Sequence, residues 1–84
     1  MSRPVAPALS LETLPRFQRA TVAAIEWSRL DAPQARRLRE LGFDEGVGVE
    51  VLHRSGWGSG PIACRIGRMT VALRRTVAAA ISVA

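Results

Sequence analysis

The chain has 84 residues, and its twelve basic residues, all of them arginine, outnumber seven acidic residues to give a net charge of +5. A domain of this length buries only about 60–65% of the surface that its unfolded chain exposes, which excludes two domains or a deep cleft. One cysteine and one histidine exclude an intramolecular disulfide, and a four-ligand structural zinc site within one copy of the chain.

Residues 1–10 contain prolines, alanines and serines without any periodic pattern, which predicts a mobile N-terminal tail and one domain over residues 11–84. The first residues hold no apolar run of signal-peptide length, and no stretch of the sequence is apolar for long enough to span a bilayer. We therefore expect a cytoplasmic protein that does not insert into membranes.

Short strands are predicted wherever apolar and polar residues alternate. In chain order they lie at residues 20–27, 47–53, 62–66, 69–73 and 81–83. A single helical turn is predicted over residues 75–80, before the last strand. Together with one longer helix between the first two strands, this pattern predicts a mainly β fold, a small and partly closed antiparallel barrel of about five strands.

The longer helix is the clearest element, because it carries signals at both ends. Asp31 can cap its start, and Pro33 fits its first turn, where the missing N–H costs nothing. Gly42 can end it in the left-handed conformation, and Phe43 can then pack back on the last turn. Its apolar side repeats at helical spacing at Ala35, Leu38 and Leu41. Its solvated side is predicted at Arg36, Arg37, Arg39 and Glu40.

Catalytic signatures are missing from the sequence. No glycine-rich phosphate loop leads into Lys-Ser/Thr, and no Ser, His and acid arrangement has its second partner. The paired carboxylates Asp44 and Glu45 flank a predicted turn and point apart. We therefore expect no enzyme activity and no cofactor.

His53 and Cys64 are the two soft metal ligands of the sequence. They lie on neighbouring predicted strands with the same inward parity, so they could meet across the hairpin and form half a metal site. One interpretation makes Cys64 a small core residue and places His53 over the end of the barrel. The other has an adventitious or bridging divalent metal joining two copies of a protein that is otherwise a monomer or a weak oligomer.

Trp57 and Gly58 belong to a glycine-rich loop between two predicted strands, at residues 55–61. A large aromatic at the tip of an exposed loop has no core to fill, and tryptophan is a frequent interface anchor. The alternative is that Trp57 folds back over the mouth of the barrel. The loop is therefore a candidate partner contact.

Charge is distributed unevenly, since residues 54–84 carry five arginines and no acid. Four of them are predicted at outward positions, at Arg65, Arg68, Arg74 and Arg75. They form either a basic face for a partner or an ordinary solvated surface. We expect no nucleic acid there, because small barrels that bind it usually add exposed aromatic residues, which the last strands lack. Arginine without lysine also fits a GC-rich coding sequence.

Several short motifs follow one another from residue 37 to residue 83. They are the run RLRELGFDEGVGVEVL at 37–52, Gly-Pro-Ile at 60–62, ALRR at 72–75 and AAISV at 79–83. In this order and spacing they resemble the FeoA family over residues 11–84. The positions that carry the motif are Leu38, Leu41, Gly42, Gly46, Pro61, Ala72 and Leu73. One departure is Phe17, at a position of the first turn where the family commonly has glycine.

The resemblance implies an SH3-like barrel and a small cytosolic accessory of bacterial ferrous-iron uptake. Its implied partner is the membrane transporter FeoB, whose cytosolic part carries a GTP-binding domain. The same barrel forms a terminal domain in metal-dependent repressors, and the family motif supplies no iron site. We predict a docking module that meets its partner through the Trp57 loop and the basic face. The alternative is a small-barrel adaptor that binds nucleic acid or another protein.

Overall fold

The computed structural model describes residues 9–55 and 60–84. These residues form six strands, two α-helices and one turn of 3-10 helix at Trp27–Arg29. The strands are β1 (Leu9–Ser10), β2 (Ala20–Ile25), β3 (Gly48–Arg54), β4 (Ile62–Ile66), β5 (Met69–Leu73) and β6 (Ile81–Val83). The helices are α1 (Ala32–Leu41), between β2 and β3, and α2 (Arg75–Ala79), between β5 and β6.

All six strands belong to one antiparallel sheet in the order β1-β6-β2-β3-β4-β5. The sheet is not closed, so β1 and β5 are its edges. The predicted mainly β, antiparallel architecture is confirmed. One correction concerns the tail, because Leu9 and Ser10 pair with Val83 and Ser82 and therefore belong to the folded part.

Helix α1 begins and ends where the sequence predicts. Asp31 and Gln34 form a capping box, in which the Gln34 N–H donates to Asp31 Oδ1 at 2.8 Å and the Asp31 N–H donates to Gln34 Oε1 at 3.1 Å. Gly42 ends the helix with a φ of 92°, and the Phe43 N–H donates to the Leu38 carbonyl at 3.0 Å. These local bonds satisfy backbone groups that a helix otherwise leaves unpaired.

Strand β2 ends two residues earlier than predicted. Its pairing with β6 runs to Ile25 opposite Ile81, and beyond that residue the partner strand gives way to α2. Trp27 therefore has no strand to pair with and begins the 3-10 turn. Its ring lies under the guanidinium of Arg39, 4.4 Å from the ring centroid, which joins this turn to helix α1.

A register shift in β3 reverses its alternation between Val51 and His53. Val51 lies opposite Cys64, whereas His53 lies opposite Ala63, the neighbour that points to the other side of β4. Cys64 is fully buried and His53 is exposed. The prediction that both residues face inward is wrong, because the extra residue at the shift places them on opposite sides of the sheet.

Phe17 adopts the left-handed backbone conformation, with a φ of 64°. Its N–H donates to the Val51 carbonyl at 2.8 Å, so this turn is held against β3. The ring is 63% exposed, with the guanidinium of Arg16 at 5.3 Å from its centroid. Phe17 thus occupies a conformation that glycine adopts without steric cost.

The strain at Phe17 predicts that glycine is more stabilising than alanine at this position, which is the reverse of their usual order within a strand. Phe17→Gly should be more stable than Phe17→Ala by about 1 kcal/mol, because only alanine keeps the left-handed Cβ clash. At exposed Thr21, in the extended strand β2, glycine should instead be less stable than alanine. Urea unfolding of the four variants measures both differences. A Phe17→Ala variant as stable as Phe17→Gly would contradict the account of this turn.

Candidate functional site

The four arginines of the predicted basic face fall into separate groups. Arg65 lies opposite Thr70 near the turn of the β4–β5 hairpin, and Arg68 lies in that turn. Arg74 and Arg75 follow the other end of β5. At about 3.3 Å per residue along a strand, the two ends are roughly 15–20 Å apart. The structure therefore does not gather the four side chains into one patch.

Arg75 does not have the outward position that the sequence predicted for it. It is half-buried at the start of α2, and its Nη2 donates to the Ser55 carbonyl at 2.9 Å. Its Nε atom is buried and has no hydrogen-bond partner among the described residues. Arg75 thus ties α2 to the end of β3, where the glycine-rich segment begins. Trp57 and Gly58, the other residues of the predicted contact, lie outside the described residues.

Arg54 has a similar structural role, which sequence reasoning missed. Its Nη2 donates to the Leu14 carbonyl at 2.8 Å and lies 3.5 Å from the Leu11 carbonyl. The segment that carries Leu11 and Leu14 packs both side chains into the core, and Arg54 satisfies its carbonyl groups. An arginine beside a glycine-rich loop is the only sequence signal of this role.

A groove of about 460 Å³ lies between α1, β5 and α2. Its walls include Leu38, Leu73 and Val77, all buried residues of the core. Exposed Arg37, on α1, and exposed Arg74, directly after β5, also line it. The remaining lining residues are Asp31, Pro33, Gln34 and Ala72. The structure thus combines an apolar wall with two arginines, and one of them, Arg37, was predicted only as part of the solvated side of the helix.

Arg65 belongs to another groove, of about 580 Å³, between the starts of β2 and β3 and the β4–β5 turn. Arg19 and Glu50 also line it. Glu50 lies 3.6 Å from the Arg65 guanidinium and offsets part of its charge. The groove between α1 and β5 is the better candidate for an acidic partner, because within the described residues neither Arg37 nor Arg74 is ion-paired, and its one acid, Asp31, accepts the Gln34 N–H at the start of α1.

The family-motif positions have clear structural roles. Leu38 and Leu73 are buried, Leu41 packs against the core, and Ala72 is exposed on β5. The glycines Gly42 and Gly46 have φ values of 92° and 85°, which end α1 and turn the chain into β3. Pro61 is exposed directly before β4. Three of these positions, Leu38, Ala72 and Leu73, line the groove between α1 and β5.

Metal ligands are not clustered in the described part of the chain. Over residues 9–55 and 60–84, no group of three or more His, Cys, Asp or Glu side chains could hold a metal ion. Burial raises the pKa of the Cys64 thiol from 9.0 to about 11, so this side chain stays a protonated core residue at neutral pH. None of the helices in these residues is both long and apolar enough to cross a membrane.

The raised pKa of Cys64 predicts a loss of stability at alkaline pH. The folded state holds the thiol proton more tightly than the unfolded state, so stability is full below pH 9.0 and falls as pH approaches about 11. The sequence contains neither lysine nor tyrosine, so no other side chain titrates in this window. Between about pH 8.5 and 10.5 the free energy of unfolding should fall by about 1–2 kcal/mol.

The control for this pH dependence is Cys64→Ala, which removes the titrating group. Alanine leaves a small cavity, so the variant should be less stable than the wild type at every pH. Its free energy of unfolding, measured in urea, should nevertheless stay constant across the same window. An equal alkaline loss in both proteins would show that the thiol is not its cause.

Comparison with known proteins adds a family match. The FeoA domain family matches residues 9–84, which is nearly the whole chain. The FeoA protein of Stenotrophomonas maltophilia, a prokaryotic SH3 domain protein solved in complex with zinc, is 32% identical, with a TM-score of 0.77. The alignment covers 92% of this chain and 91% of that one. The predicted SH3-like fold is therefore confirmed.

Two further solved structures have the same fold. Iron(II) transport protein A of Clostridium thermocellum is 27% identical, with a TM-score of 0.78, over 89% of this chain and 44% of that one. A manganese-dependent transcriptional repressor is 30% identical, with a TM-score of 0.79, over 95% of this chain and 42% of the repressor. The fold thus also occurs as part of a larger protein. No curated protein sequence matches the chain.

Proposed function

Because the chain belongs to the FeoA domain family, we propose that it is a cytoplasmic accessory of ferrous-iron transport that binds the cytosolic part of a FeoB-type transporter. The family match and the solved FeoA structures support the role in ferrous-iron transport. Binding to FeoB is the finer part of the proposal. The chain acts by docking and carries out no reaction of its own.

The groove between α1 and β5 is the observation that carries the binding proposal. It places the permanent charges of exposed Arg37 and Arg74 over a floor of core residues, Leu38, Leu73 and Val77, which are themselves 1%, 3% and 6% exposed. An arginine guanidinium suits carboxylate groups because its fork can donate two parallel hydrogen bonds. Such a surface favours a protein partner with acidic side chains. The sequence predicts a basic contact surface at Arg65, Arg68, Arg74 and Arg75, and of these Arg74 lines the groove.

Uptake of ferrous iron by cells tests the transport role. In the organism that encodes the chain, deletion of its gene should slow uptake of radiolabelled ferrous iron, and the wild-type gene should restore the rate. The Arg74→Glu variant should restore it poorly while accumulating to the wild-type level. Normal uptake after deletion would overturn the proposed role, and full rescue by Arg74→Glu would remove the groove from it.

A further inference from the structure

Strand β5 has a backbone edge that no other described strand pairs with. Within the described residues it pairs with β4 alone, through a hairpin whose two turn residues are Gly67 and Arg68. Gly67 has a φ of 57°, as a two-residue turn of this kind requires. The residues that flank such a turn, Ile66 and Met69, exchange both of their hydrogen bonds, and the pattern then alternates. The N–H and C=O groups of Thr70 and Ala72 therefore point away from β4.

The core-facing side of β5 is only partly covered. Met69, Val71 and Leu73 lie opposite three buried residues of β4, at Ile66, Cys64 and Ile62. Leu73 is 3% exposed, whereas Val71 is half-buried and Met69 is 46% exposed. Apolar side chains on one face of a strand become exposed in this way where the next strand is missing. An added strand would cover both the backbone edge and these side chains.

Basic residues stand at both ends of this edge. Arg68 lies in the hairpin turn, and Arg74 follows Leu73 beside the groove that Arg37 also lines. Residues 54–84 contain no acid, and the one acid that lines the groove with Arg74 is Asp31, which caps α1. Antiparallel pairing of β5 with a second copy of itself would bring Arg68 of one copy toward Arg74 of the other, which like-charge repulsion disfavours. An acidic segment does not meet this repulsion.

We propose that β5 binds an extended partner segment in which acidic and apolar side chains alternate, by adding it to the sheet as a further strand. Backbone hydrogen bonds to Thr70 and Ala72 supply the pairing, and the arginines at the two ends select acidic side chains. The apolar side chains of the segment cover Met69 and Val71 and reach the groove beside Leu73, which lies on the same side of β5. The proposed function enters this inference at one point: it names FeoB as the protein that carries the segment.

Amide hydrogen exchange tests this pairing directly. The probe is a blocked synthetic peptide of alternating glutamate and valine, long enough to pair along all of β5, added to the isotope-labelled full chain. At saturation, exchange at Thr70 and Ala72 should slow by about tenfold or more, because both amides gain a ladder hydrogen bond. Exchange at Val71, whose N–H already pairs with β4, should change little. The matching peptide of lysine and valine should give no protection.

Proline at position 70 is the matched variant. Thr70→Pro removes an N–H that faces solvent, which edge strands tolerate, and Thr70→Val keeps that N–H. The proline variant should lose peptide binding and the valine variant should keep it. The proposal is overturned if the acidic peptide leaves Thr70 and Ala72 unprotected, or if the lysine peptide protects them equally. It is also overturned if these amides become protected only when the chain associates with itself. If Thr70→Pro fails to fold, the comparison of the two peptides on the wild-type chain still tests the proposal.

The same exchange measurement with the cytosolic part of FeoB separates this inference from the proposed function. If the transporter part binds without protecting Thr70 and Ala72, the added strand is contradicted, whereas the proposed partner is supported. Protection by the acidic peptide without binding of the transporter part would keep the added strand and point to another protein as its source.

Discussion

Replacing Leu38 with alanine is expected to lower the free energy of unfolding by about 3 kcal/mol, the middle of the range for a buried leucine. Leu38 is 1% exposed and lies on the side of α1 that faces the core. The change removes apolar side-chain contacts and leaves a cavity where the helix meets the sheet. For a domain of this length the total stability is about 4–13 kcal/mol, so one substitution removes a large share of it.

The position of α1 makes this loss larger than the side chain alone suggests. A helix of ten residues is marginal by itself, so its stability in the protein comes from packing. Within α1 only Ala35 and Leu38 are buried, and Leu38 is the larger of the two. Leu38→Ala therefore weakens the attachment of the whole helix, together with the wall of the groove that Leu38 lines.

The control is Leu41→Ala, at the half-buried end of the same helix. Both substitutions replace leucine with alanine in the same helix, so the change in helix propensity is the same. Leu41→Ala removes less buried apolar surface, so it should lower the free energy of unfolding by only about 1 kcal/mol. Chemical denaturation of both variants gives the comparison. Equal losses at the two positions would contradict the placement of Leu38 in the core.

Reversing the charge of Arg74 should have the largest effect on binding. Arg74→Glu is expected to weaken the affinity for the proposed partner, the cytosolic part of FeoB, by about tenfold or more, because it removes an attraction and adds a repulsion beside the groove. Arg74 is exposed, so stability should change by no more than about 0.5 kcal/mol. Isothermal titration calorimetry gives the affinity, and thermal unfolding confirms the fold.

Arg36→Glu is the matched control for this charge reversal. Arg36 is also exposed, and it lies on α1 next to Arg37 without lining the groove. The two variants have the same net charge, so a partner that senses only overall charge would be weakened equally by both. A loss of affinity confined to Arg74→Glu is expected, and equal losses would assign the contact to the general basic surface instead.

Local signals made much of the fold predictable from the sequence. The capping residue Asp31, the glycine at position 42 and the alternation in β4 and β5 act over a few residues, and the structure confirms each element. Strand β1 was missed because its two residues form a strand only by pairing with β6, at the far end of the chain. Such pairing leaves no local trace in sequence.

The candidate site was less predictable, for reasons of tertiary structure. The register shift after Val51 reverses the side that His53 faces, and the alternation of residue types does not reveal it. Arg75 was predicted as an exposed charge, but its partner is the backbone of Ser55, twenty residues away. Arg37 reaches the groove only because α1 packs beside β5. In each case the residue type is evident from the sequence, whereas its contacts depend on tertiary packing.

Whether the chain binds the transporter is measured most directly by sedimentation velocity of the purified chain with the cytosolic part of FeoB from the same genome. At about 50 mM salt, where arginine contacts are strongest, a complex is expected, and it should weaken as salt rises and with Arg74→Glu or Trp57→Ala. The contrary result is the absence of a complex at low salt, together with salt-sensitive binding of DNA or RNA, which would make the chain a nucleic-acid adaptor instead.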